Sequence, residues 1–182
     1  MTKVTIGGGA VTLQTVTVTD DLFLARNTLT HRLVGPQPVA TIALDIADLA
    51  DGDRAGLAAF KDTNSYIGVK RDGDVYSVVV RTNMTLSFTD WNTVSIGTDV
   101  ASVVVPKGNG KIWFRGTADA RPVGAKTVSF EYSRDGISFT SLGGAYKLDD
   151  GFQLFMGYRW GIFNHATKAL GGSVKLEEFT QI

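Results

Sequence analysis

The stretch Ala25–Pro36, "ARNTLTHRLVGP", sets His31 and Arg32 side by side inside what otherwise reads as a strand. A histidine can move a proton near neutral pH, and an arginine holds anions or hydroxyls in a planar fork. Hydrolysis of a glycoside would need more, namely two carboxylates roughly 5–10 Å apart. The chain has three glutamates, Glu131, Glu177 and Glu178, and none lies in a clustered acidic run. Most of the aspartates sit in turn sequences, where Asp serves the backbone. A Ser-His-Asp arrangement would draw on His31 or His165, yet there is no Gly-x-Ser-x-Gly elbow. Nothing in the spacing of the two histidines suggests a metal site, and the glycine runs follow no phosphate-binding pattern. These residues point away from a self-contained enzyme and toward binding.

The elements that must position them are strands. "AVTLQTVTVT" alternates apolar and hydroxyl residues, and "TLTHRLVG", "VATIALDI", "SYIGVKR" and "DVYSVVVR" follow, each short and rich in β-branched or aromatic residues. Asp72-Gly73 reads as a type I′ hairpin turn, and Asp135-Gly136 joins its neighbours in the same manner. "KGNGK" (107–111) and "ADGD" (50–53) read as further turns or loops. "LDIADLADGDRAGLAAF" has helical spacing, but Asp51-Gly52-Asp53 breaks it, giving strand, loop, strand. Many short strands with frequent turns specify an all-β sandwich or barrel, and the length favours a two-sheet sandwich over residues 1–182 as one domain.

Alternation sorts the side chains into faces. Ile112 and Phe114 read as core, with Trp113, Arg115 and Thr117 opposite; Val128, Phe130 and Tyr132 read as core; Tyr158, Trp160 and Ile162 fall opposite Arg159, Gly161 and Phe163. Leu29, His31 and Leu33 share one face, and Thr30, Arg32 and Val34 the other, so His31 and Arg32 do not act as a pair. Aromatic rings and planar hydrogen-bonding groups on an open sheet face suit sugars. The expected carbohydrate contacts are Arg32, Trp113, Arg115 and Arg159, with Asn164 and His165 at the rim of one shallow groove shared by "TLTHRLV", "IWFRGT" and "YRWGIFN".

Composition narrows the partners. Eighteen basic residues balance eighteen acidic ones without blocks of either sign, so nucleic acid and membrane surfaces find no electrostatic footprint. The absence of cysteine removes thiolate metal sites and disulfides. No apolar run approaches the ~20 residues that span a bilayer, and the first thirty residues hold no signal-peptide pattern.

Four blocks in order, "DDLFLARNTLTHRLVGP", "DGDRAGLAAFKDTNSYIGVKRDGD", "FEYSRDGISFTSLG" and "GYRWGIFNHATKALGGSVKLEEF", give the chain a resemblance to a known family. It resembles the C-terminal β-sandwich of glycoside hydrolase family 43, from the β-xylosidase and arabinofuranosidase branch, on which carbohydrate-binding module family 91 is defined. The resemblance implies a concanavalin A-like jelly roll of two curved antiparallel sheets beside a catalytic propeller that this chain lacks. It implies either a module for xylan, arabinoxylan or xylo-oligosaccharides, or an accessory domain that packs on the propeller and helps shape its pocket. A secreted parent enzyme would place it outside the cell. In some relatives a Phe of this domain reaches the catalytic pocket, and Phe23 stands for it here. Relatives often end on a Phe-Asp-x-Phe-like strand whose Asp helps hold a structural Ca²⁺; here "LEEF" puts Glu177 at that place.

Overall fold

The computed structural model describes residues 4–107, 110–151 and 157–182. Thirteen strands lie among them. They are β1 (Val4–Gly7), β2 (Ala10–Gln14), β3 (Thr28–Arg32), β4 (Val39–Asp45), β5 (Asp53–Phe60), β6 (Thr63–Asp72), β7 (Val75–Leu86), β8 (Thr93–Val105), β9 (Lys111–Asp119), β10 (Thr127–Ser133), β11 (Thr140–Lys147), β12 (Arg159–Ala166) and β13 (Ser173–Gln181). They form a seven-stranded sheet in the order β1-β2-β13-β4-β9-β10-β11 and a six-stranded sheet in the order β3-β12-β5-β6-β7-β8. Every ladder between named strands is antiparallel.

Period-two alternation explains the core. Ile42, Leu44, Ile112, Phe114, Val128 and Phe130 of the seven-stranded sheet meet Leu57, Ile67, Val69, Val78, Val80 and Trp160 of the six-stranded sheet. Each such side chain contributes about 1.5–3 kcal/mol by leaving water. A second, smaller cluster lies on the other side of the six-stranded sheet. There Ala58, Tyr66, Val79 and Phe163 are covered by Leu22 and Ala25. Leu22–Leu24 form a single 3-10 turn, capped by Asp21, whose side chain accepts the Phe23 amide. The outer face of this sheet is therefore partly roofed, which alternation within the strands cannot show.

Two turns differ from the sequence expectation. The β6–β7 ladder pairs Asp72 with Val75, so Gly73-Asp74 is the two-residue loop. Only Gly73 has positive φ (+61°), which is the type II′ pattern, not type I′. The Asp135-Gly136 connection is a six-residue loop, 134–139. There Asp135 Oδ1 accepts the amides of Ile137 and Ser138 and the Ser133 hydroxyl. The loop expected at 107–111 includes residues 108–109, outside those described; the turn before β5 is where it was expected. The Ala-rich segment is strand, turn and strand.

β8 is an edge strand. It shifts register against β7 twice, and Gly97 between the shifts has φ +75° with no room for a Cβ.

Candidate functional site

The two sheets separate the expected sugar contacts. Trp113 and Arg115 project from β9, on the outside of the seven-stranded sheet, whereas Arg32 and Arg159 project from β3 and β12, on the outside of the six-stranded sheet. The sandwich stands between the pairs, so the single groove is corrected to two opposite faces. Arg115 is already engaged: its guanidinium lies 3.5 Å from the Phe139 ring centroid, Nε donates to Thr41 Oγ1 at 3.2 Å, and Glu131 pairs with it at 3.8 Å. The Trp113 ring packs on the 134–139 loop, so closely that a Cβ on Gly136 (φ +75°) would lie 2.9 Å from it.

Asn164 and His165 form no rim. Asn164 points between the sheets, 1% exposed, and its Nδ2 donates to the Leu13 carbonyl at 2.8 Å. His165 is buried on the other side of β12, its Nδ1 3.0 Å from the Thr19 carbonyl, under the segment that crosses toward the 3-10 turn. Burial disfavours the charged ring and lowers its pKa to about 4. His31 faces inward at the open edge, its ring 5.0 Å from that of Phe179 and its Nδ1 3.3 Å from Gln181 Oε1.

Phe23 opens onto a cleft of ≈680 Å³ on the outside of the six-stranded sheet, with Leu24, Phe60, Trp91, Thr30 and Arg159 among its walls. The Phe23 and Phe60 rings stand 6.0 Å apart. Leu24 is 60% exposed and Trp91 44%. Trp91 has a left-handed backbone (φ +61°), unusual for a bulky residue. The turn that imposes it is held by Trp91 N donating to Ser87 O and by Asp90 accepting from Asn92. Asp21 ties the 3-10 turn to β8 through the Thr93 hydroxyl. Beneath the cleft, the buried Lys61 ammonium bonds the Gly151 carbonyl at 2.6 Å and lies 3.4 Å from both Asp62 and Asp149.

Sequence reasoning missed Trp91 and the Lys61–Asp62 pair. "SFTDWN" offers no alternation to read, and Lys61-Asp62 looks like a solvated turn. Only the three-dimensional return of β8 past the 3-10 turn brings them together.

Glu177 is paired with a cation and is not gathered with other acidic side chains among the described residues. Glu177 occupies the register shift of β13, between Leu176 and Glu178, and its carboxylate takes the Lys111 ammonium at 2.7 Å. No group of three or more His or acidic side chains suited to a metal occurs among the described residues.

Asp53 is a further buried carboxylate. It is fully buried at the start of β5, Oδ2 accepts the Ala50 amide at 2.8 Å, and Oδ1 has no hydrogen-bond partner among the described residues. Burial pushes its pKa up to about 6.

Residues 2–180 match the β-xylosidase C-terminal concanavalin A-like domain, GH43_C2. The chain belongs to that family. The GH43_C2 sandwich is similar to part of a GH43 glycoside hydrolase whose engineered active site displays both endo-xylanase and exo-arabinofuranosidase activity. There identity is 39% and the TM-score 0.93, over 99% of this chain and 36% of that one. It is also similar to a bifunctional GH43-CE protein of Bacteroides eggerthii, at 27% identity and TM-score 0.84, over 97% and 21% of the two chains. The GH43 protein BlXynB of Bacillus licheniformis shares the fold at 16% identity and TM-score 0.70, over 95% and 32%. The chain thus spans about a third or less of these solved proteins. No curated protein matches it.

Proposed function

We propose that this GH43_C2 sandwich is an accessory domain that packs on a family 43 catalytic domain through the outer face of its six-stranded sheet. The observation that carries the reading is the exposed Leu24 and Trp91 on the walls of the Phe23–Phe60 cleft. Apolar residues so grouped mark an interaction surface. The partner is argued from length: the 39%-identical enzyme has nearly two-thirds of its chain beyond the matching part. Phe23 then faces the substrate pocket of the partner, where xylan or arabinoxylan chains bind, and the chemistry is the partner's.

The test mixes this chain with the catalytic domain of the 39%-identical enzyme, expressed without its own sandwich. Sedimentation should show a complex, and Leu24→Asp or Trp91→Asp should weaken it at least tenfold. No complex, or one indifferent to both substitutions, overturns the reading.

A second reading, an independent sugar-binding module, is favoured by the aromatic walls and the Arg159 guanidinium sharing one cleft.

A further inference from the structure

Arg32 and Arg159 are directly opposite in the β3–β12 ladder and point to the same outer face. Opposed residues of an antiparallel pair have Cβ atoms roughly 4.5–5.5 Å apart, and like charges so placed repel. The fold does not neutralise them: among the described residues neither guanidinium has an ion pair or hydrogen bond. The carboxylates that line the cleft are engaged elsewhere, Asp62 with Lys61 and Asp21 with Phe23 N and Thr93. Arg159 is half-buried and lines the cleft beside Thr30, and it also lines the adjoining depression in which the exposed Arg32 lies with Leu33 and Gly35, so the two guanidinium groups meet at the end of the cleft. Two planar forks without a counter-ion are complementary to a carboxylate, which guanidinium binds in bidentate fashion.

The same cleft supplies the rest of a sugar site. The Trp91 and Phe23 rings offer faces to C–H groups, and ≈680 Å³ accommodates a short oligosaccharide. We propose that Arg32 and Arg159 recognise the carboxylate of a uronic acid residue carried on an oligosaccharide in this cleft. The proposal goes beyond the docking reading and concerns the isolated chain, so either can fail without the other.

The experiment titrates the chain by calorimetry with a xylo-oligosaccharide bearing one glucuronic acid, with the methyl ester of the same compound, and with sodium acetate. The acid should bind at least tenfold more tightly than the ester, and more weakly as salt rises. Arg159→Gln and Arg32→Gln should each remove most of that preference, weakening binding of the acid at least tenfold more than binding of the ester. Melting temperatures of both variants should equal or exceed that of the parent, because a repulsion is relieved. Equal affinity for acid and ester, or no binding of either, overturns the proposal. Acetate competing at the concentration of the acid oligosaccharide overturns the sugar part, leaving a generic anion site.

Discussion

Asn164 Nδ2 donates to the backbone carbonyl of Leu13 at 2.8 Å, a hydrogen bond that runs from one sheet to the other through the core. It makes Asn164 a fastener between β12 and β2, not a ligand contact. Asn164→Leu should remove this bond between the sheets and lower stability by about 0.5–1.5 kcal/mol in denaturant unfolding. Sugar or partner binding that fell without loss of stability would contradict this role.

Asp53 and His165 titrate against each other. The folded pKa of Asp53 is raised, from 3.8 to about 6, so its contribution is intact below pH 4 and is lost as pH rises to 6. That of His165 is depressed, from 6.5 to about 4, so its contribution is intact above pH 6.5 and is lost as pH falls to 4. Both shifts are near two units, on the order of 3 kcal/mol each, and of opposite slope. Between pH 4 and 6.5 the two should nearly cancel.

Single substitutions should therefore reveal slopes that the parent hides. Asp53→Asn should become more stable, relative to the parent, from pH 4 to 6, and His165→Gln less stable over the same range. Unfolding free energies at half-unit pH intervals measure both. Parallel profiles for parent and variants would remove the assignment.

The Trp113 face should behave as structure. Gly136→Ala forces both a left-handed alanine and a clash with the Trp113 ring, and should cost about 1–3 kcal/mol with a change in tryptophan emission. Arg32→Gln combined with Gly136→Ala should be additive within ~0.5 kcal/mol, because the two sites lie on opposite sides of the sandwich. A larger coupling energy would mean that the faces communicate.

Metal removal should change nothing. With Glu177 held by Lys111, a chelator should leave the melting temperature unaltered and added calcium should not raise it. A rise of several degrees with millimolar calcium would show a site built from other residues.

The fold was legible because strand alternation is a local property. Ile112, Phe114, Phe130, Trp160 and Ile162 all lie in the core, where period two puts them. The candidate site was not, for two physical reasons. Alternation says which residues share a face within a strand, but not which sheet the strand joins, so β9 was grouped with β3 and β12 although it lies in the opposite sheet. It also treats every outward residue as wet, whereas Phe163 and His165 are roofed by a segment some 140 residues earlier. The face of Arg32 was correct; its partner across the ladder, Arg159, was on the right face for the same reason.

The twice-shifted edge of β8 bears on the behaviour of the domain in concentrated solution. An unpaired strand carrying Val94, Ile96 and Val104 would ordinarily template sheet growth from molecule to molecule. The two shifts, with Gly97 turned between them, break that edge into short segments, and no neighbouring strand can register with all of them at once. The lateral rim is thereby closed to polymerisation while the cleft beside it stays open to a partner.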